Sequence, residues 1–351
     1  MSIDSRSSIR TTATSVTSYD DDASMRSGSP QPSVYSMTSS IRAASYRHEY
    51  GRGVNNYSDV YWLPADDEEL DRLDLQHRMF QRLMGKYPAP LHDILKDDTP
   101  EDPKRALDLG CGSGGWIMDL ARDYPHCDCV AVDLVPMQRE DMPPNCRSEV
   151  DDINFGLQHF FNAFHVVHAR LISSGIRDYE YLVDHISGAL RPGGLVDILE
   201  FDFRVYGPDR KPFTIMPNSN APYFARWMSL LNMAVRQRGG SPDAANSIHS
   251  YVLEHGAYED VIYREYFIPT APFMSKRDPN YSYIRPISET FRDDIYAFLQ
   301  SGRPILLASG LCETVVDSLA QNAHDELRDA RTVSYIRVEN VYARKIQQPA
   351  P

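Results

Sequence analysis

Arg105-Ala-Leu-Asp-Leu-Gly-Cys-Gly-Ser-Gly-Gly-Trp116 decides the fold. An apolar run, 106–109, enters a loop with glycines at 110, 112, 114 and 115, and an amphipathic stretch, 116–124, leaves it. Strand, glycine-rich turn and helix in that order open a nucleotide-binding α/β domain. Glycine admits positive φ and a close ligand approach, and the helix start presents unpaired N–H groups. Gly110, Gly112 and Gly115 also satisfy the dinucleotide pattern G-x-G-x-x-G. The loop by itself therefore leaves two ligand classes, and a ligand-free turn, open.

The surroundings narrow the choice. Asp108 stands inside the motif, where a carboxylate repels a pyrophosphate and suits a cationic nucleoside such as S-adenosylmethionine. A second apolar run, 129–132, ends in Asp133, about 20 residues past the loop, the position from which an acid holds ribose hydroxyls. Both nucleoside ligands carry that ribose. A third unit, 147–155, reads as a strand ending in Asp151 and Asp152, with Asp152 placed to accept from an adenine amine beside Ile153, or to serve as a helix cap. Leu190-Arg-Pro-Gly-Gly-Leu195 then reads as a helix end, a turn and the start of another strand, 196–200. Three ordered strand–acid units followed by that turn favour a methyl donor over a nicotinamide cofactor.

Composition bounds the rest. A chain of 351 residues with 42% hydrophobic content can bury a sizeable core as one large or two ordinary domains. A formal charge of −13 argues against a broad nucleic-acid footprint, so no direct nucleic-acid binding is expected. No apolar run reaches the length of a membrane span, and no secretory signal is visible. Five cysteines without a C-x-x-C pair point to a reducing compartment, the cytoplasm or the nucleus, and give no metal site.

Along the chain, residues 1–56 are Ser/Thr-rich with few aliphatics and read as a disordered tail, with Ser27-Gly-Ser-Pro30 as a modification candidate within it. Residues 57–102 form a lid-helix region. Asp66 and Glu69 make a capping-box variant, and Leu70, Leu73, His77, Phe80 and Leu83 recur at helical spacing. Arg72 or His77 faces the cofactor if that helix is a lid; otherwise His77 is a core histidine. The domain proper runs over 103–351, with Phe164-His-Val-Val-His-Ala-Arg170 its fourth strand. A helix over 223–238, a strand over 258–268, a helix over 313–328 and a last strand over 333–346 follow. Pro/Tyr-rich loops cover 204–220 and 269–288, and substrate-covering insertions fall near 204–250 and 269–300.

These blocks resemble, in order, the fungal LaeA-like class I methyltransferases. The resemblance rests on Asp67-Glu-Glu-Leu-Asp-Arg-Leu-Asp-Leu-Gln-His77, Asp108-Leu-Gly-Cys-Gly-Ser-Gly114 and Asp133-Leu-Val-Pro-Met-Gln138. It continues through Pro143-Pro-Asn-Cys-Arg147, Val150-Asp-Asp-Ile153, Gly175-Ile-Arg-Asp178 and Arg191-Pro-Gly-Gly-Leu-Val-Asp-Ile-Leu-Glu200. Leu195 stands where the family has an aromatic residue, and Tyr179 where it has tryptophan. The resemblance implies a Rossmann-like seven-stranded α/β sheet with helices on both faces and a reversed last hairpin. It implies S-adenosylmethionine at the carboxyl ends of the first strands and a link to secondary metabolism.

The expected cofactor contacts are Asp108, Gly110, Gly112, Gly114, Asp133, Asp152 and Ile153. A general base is needed if the acceptor is protonated, and His168, at the end of the fourth strand, is the catalytic candidate. Glu200, Asp202, His249 and His255 are the other titratable candidates, and Arg170 could meet an acidic acceptor. The expected partner is a small-molecule acceptor in an aromatic-lined pocket. The competing reading is a nuclear regulator working through a protein partner, with methyl transfer minor or absent.

Overall fold

The computed structural model describes residues 44–96, 101–137, 139, 141–216 and 220–347. The tail expectation for 1–43, with its Ser27–Pro30 segment, lies outside them.

Order starts before residue 57. Strands β1 (Tyr46–Glu49) and β2 (Arg52–Asn55) pair as an antiparallel hairpin, Tyr46 opposite Asn55 and Glu49 opposite Arg52. Composition placed this segment in the tail. It is anchored by the fully buried Val54 and by an ion pair: Arg52 donates from Nε and Nη2 to the two oxygens of Asp66, both at 2.8 Å. The Gly53 amide adds a third bond to the same carboxylate. Asp66 in turn caps helix α1 (Asp67–Met84), accepting from the Glu69 amide at 3.2 Å. The box is half-closed, because the Glu69 carboxylate turns inward to Arg72 instead of back to the cap. The buried stripe of α1 is accordingly Glu69, Arg72, His77, Met79 and Phe80, while Leu70, Leu73 and Leu83 are half-buried.

Short helix α2 (Pro90–Leu95) leads to a seven-stranded sheet of β3 (Arg105–Leu109), β4 (Asp128–Asp133), β5 (Cys146–Val150), β6 (Phe164–Arg170), β7 (Leu190–Tyr206), β8 (Tyr258–Pro269) and β9 (Tyr335–Lys345). The strand order is β5-β4-β3-β6-β7-β9-β8. Strands β5 to β7 in that order are parallel, and β9 runs antiparallel to both β7 and β8. This is the expected Rossmann-like sheet with a reversed last hairpin. The chain winds outward from β3 in one direction, then returns to β6 and winds the other way. The crevice at the carboxyl ends of β3 and β6 is thus a topological switch point, where open α/β sheets bind ligands.

Alternation along the buried strands supplies both faces. Ala106, Cys129, Ala131, Val166 and Leu195 pack under α2 and α3 (Gly115–Asp123). Leu107, Val130, Val167, Ile198 and Val341 pack under α4 (Tyr179–Ala189) and α6 (Ile248–Glu254). A third core joins Leu199, Phe203 and Val338 to α5 (Tyr223–Gln237), α7 (Tyr281–Ser301), α8 (Arg303–Ala308) and α9 (Glu313–Asp329), with Trp227 fully buried at its centre.

Two local expectations need correction. Pro192-Gly-Gly194 is not a turn between elements but an irregularity inside β7, whose pairing jumps from Phe164–Leu190 to Val166–Leu195. A Cβ on Gly194 would lie 2.9 Å from the Arg191 carbonyl oxygen and 3.1 Å from that of His165, so the bulge excludes side chains. The loop assigned to 269–288 ends sooner, because α7 begins at Tyr281 and carries Pro286 within it.

Candidate active site

The loop after β3 is held from two sides. The Gly110 and Cys111 amides both donate to the Val132 carbonyl at the end of β4, at 2.8 and 3.0 Å. The Gly112 amide donates to Asp133 Oδ2 at 2.9 Å. Gly114 then caps α3 with φ 76°, a left-handed conformation that favours glycine, and a Cβ there would collide with the Met137 sulfur. Among the described residues no side chain caps α3, which leaves its first amides at the crevice for a ligand.

Asp108 is 3% exposed in β3, and burial pushes its carboxyl up to about 6 against the pull of His168 and Arg170. Burial also raises Asp133, opposed by the Gly112 and Val135 amides. Asp152 follows β5 and takes the capping role that the sequence left open. Its Oδ1 accepts from the Asn154 amide and side chain at 3.1 and 2.7 Å, closing a single 3-10 turn that begins with Ile153.

One cavity gathers Asp108, Gly110, Gly112, Asp133, Asp152, Ile153 and His168. Gly114 does not line it and acts through the backbone turn instead. The donor set fits S-adenosylmethionine: a buried acid at the glycine loop, a second acid at the end of β4 and an apolar wall at Ile153. Beyond the loop the same cavity opens into an aromatic chamber walled by Phe80 of α1, Phe201 and Phe203 of β7, Phe224 of α5, and Phe291 and Phe298 of α7.

His168 lies across from Asp108 on β3 and Asp197 on β7. Its ring stacks on Trp116, centroids 4.0 Å apart and planes 10° from parallel. Nδ1 is 3.1 Å from Asp197 Oδ2, and Asp197 Oδ1 accepts from Asn340 Nδ2 at 2.8 Å. An ionised Asp197 can only accept, which places the hydrogen on Nδ1 and leaves Nε2 as the acceptor. Nε2 is buried and, among the described residues, has no hydrogen-bond partner.

The other titratable candidates lie off the cavity. Glu200 is fully buried, and burial raises its carboxyl to about 7. Its Oε1 gathers the Ile172 and Ser173 amides and the Tyr179 hydroxyl, fixing the loop after β6. Asp202 binds Arg204, Tyr206 and Arg337. His249 packs on Tyr263, and His255 pairs with Asp184.

Arg72 and His77, the two lid candidates, divide the work of α1. Arg72 pairs with Glu69 and, at 2.8 Å, with Asp294 of α7, whose other oxygen takes Gln76 at 3.1 Å. Arg72, Gln76 and Asp294 line the aromatic chamber. His77 Nε2 meets Asp119 at 3.1 Å and its Nδ1 meets Arg170 Nη2 at 3.1 Å. His77 and Gln81 hold the Asp119 carboxyl down at about 2. Sequence reading gave no sign of Asn340 or Asp294, whereas Phe291 and Phe298 of α7 fall within the substrate-covering insertion expected near 269–300.

A methyltransferase-domain family model matches residues 75–256. The chain is 46% identical over 303 residues to the secondary metabolism regulator laeA of Coprinopsis cinerea, covering 85% of this chain and 74% of that protein. It is 30% identical over 255 residues to methyltransferase pytC of Aspergillus terreus, covering 70% of this chain and 71% of that protein.

Proposed function

The chain belongs to the methyltransferase-domain family, and from that premise we propose that it methylates a small, largely apolar secondary metabolite at oxygen. It is an S-adenosylmethionine-dependent methyltransferase related to fungal proteins of secondary metabolism. The observation that carries the acceptor class is the continuity of one cavity from the glycine loop to the aromatic chamber. A chamber walled by phenylalanines, whose polar groups Arg72, Gln76 and Asp294 are bonded to one another, favours a compact apolar acceptor and gives little purchase to a charged peptide.

Bound S-adenosylmethionine supplies an activated methyl group for in-line displacement by the acceptor. Asp108 neutralises its ammonium, Asp133 accepts from the ribose hydroxyls, and Asp152 and Ile153 flank the adenine. The aromatic chamber holds the acceptor against the donor and excludes water, so positioning carries most of the rate. His168 accepts the acceptor hydroxyl proton at Nε2, and Asp197 stabilises the resulting imidazolium.

The test is incubation with labelled S-adenosylmethionine and a metabolite extract, followed by mass spectrometry of the products, for the wild type and H168N. Expected is a methylated small molecule whose formation falls about 100-fold or more in H168N with donor affinity unchanged. Donor affinity that falls along with the rate would reassign the imidazole to donor binding.

The 46% relative named as a regulator favours a second reading, in which the same body acts through a protein partner in the nucleus. Under that reading, cells carrying a variant defective in donor binding keep their metabolite profile. Under the enzymatic reading they lose one methylated product.

A further inference from the structure

Two charges in the cavity lack partners. Asp108 and Arg170 sit on adjacent strands and both line the cavity, with Arg170 two residues beyond the partner of Asp108, on the same face. Among the described residues no carboxylate reaches ion-pair distance of Arg170, and no hydrogen-bond donor reaches the Asp108 carboxylate. Burial disfavours both charged forms. Opposite charges kept in one desolvated cavity, and not paired with each other, are costly unless a ligand completes them.

We propose that Asp108 and Arg170 form a receptor for an α-amino-acid zwitterion, with Arg170 anchoring the carboxylate of the donor's methionine portion. The inference rests on the donor assigned above. The guanidinium offers five N–H groups in a planar fork, and the hydrogen bond to His77 uses one nitrogen, Nη2. A carboxylate can take two of the remaining donors side by side. The fork is aimed from the lid: His77 of α1 accepts at Nδ1 from Arg170 while its Nε2–H donates to Asp119 of α3. Phe80, one turn further along α1, lies 5.6 Å from the guanidinium and limits its swing. His77 is therefore a positioning residue, through which the lid helix couples to the donor carboxylate.

The experiment is calorimetric titration with S-adenosylmethionine and with its decarboxylated analogue, which differs by the carboxylate alone. The wild type should prefer the intact compound by about 10- to 100-fold, the worth of a charge-assisted contact. R170M should bind both compounds alike, with affinity for the analogue close to that of the wild type. H77Q, which leaves the guanidinium in place, should lower the preference several-fold without changing affinity for the analogue. It also serves if R170M fails to fold.

Equal binding of the two compounds by the wild type overturns the anchor. So does an R170M variant that weakens both compounds equally. A preference unchanged in H77Q overturns the positioning role. Binding of neither compound by the wild type would instead overturn the donor assignment itself.

Discussion

Asp108 shows how one residue links burial, pH and binding. Its carboxyl is raised to about 6 by burial, yet the role proposed for it, receiving the donor ammonium, requires the ionised form. Below pH 6 the free protein holds a proton there that binding must expel. Donor affinity should therefore fall as pH drops, by about tenfold between pH 7.5 and 5. Calorimetry across that range checks this, and D108N should bind more weakly with a flatter profile. His168, Arg170, Asp133 and Asp197 share the field around Asp108, so the slope belongs to that group of charges. Stability of the free protein runs the other way. The native carboxyl keeps its proton to a higher pH than the unfolded one. Its contribution is full below the ordinary carboxylate range and is lost as pH rises through about 6.

At the scale of elements, α1 is fastened to α7 by buried charge. Arg72 holds Glu69 and Asp294, Gln76 adds to Asp294, and the Ser301 hydroxyl donates to Glu69. Removing the cation alone leaves two buried carboxylates with neutral hydrogen-bond donors but no counter-charge. R72M should cost about 3–5 kcal/mol in urea unfolding, whereas combining it with E69Q and D294N should recover much of the loss. A cost below about 1 kcal/mol for R72M would show that the acids protonate or rehydrate without resistance. This fastening also explains what the sequence concealed. The α1 pattern was legible as a helix, but its buried stripe was misjudged, because apolar spacing cannot show a Glu–Arg pair completed by an acid 222 positions away. Helix α7 was hidden by Pro286 and by the Pro/Tyr composition before it. Proline removes a single amide donor, and the apolar face of Ile287, Phe291, Ile295 and Leu299 outweighs that loss. The strand–acid units that line the cavity were legible because each is contiguous in the chain. The acid–imidazole pair was not, since His168 and Asp197 meet only when β6 and β7 pair in register, and Asn340 joins them only when β9 inserts beside β7.

On the scale of the whole molecule, the switch in winding direction divides the labour. The arm β3-β4-β5 carries the residues proposed to hold the donor, while β7 and β9 carry the aromatic chamber under α5 and α7. Residues from α1 line both parts of the cavity: Leu73 approaches the glycine loop, where a Cβ on Gly112 would fall 2.8 Å from its Cδ1, and Phe80 walls the chamber. Donor binding should therefore be felt along the lid and not across the far helices. In hydrogen exchange, S-adenosylmethionine should protect residues of α1 and the loop 171–176, whose amides Glu200 already orders, and leave α9 unchanged. At 100 times its Kd it should add about 2.7 kcal/mol to unfolding stability by mass action. D133A should abolish both effects, because Asp133 fixes the loop through the Gly112 amide and lines the cavity where the ribose is proposed to bind. Protection retained in D133A would remove Asp133 from the donor site, and protection spread evenly over the sheet would mean that the donor binds without engaging the lid. The chamber would then fill independently of the donor site.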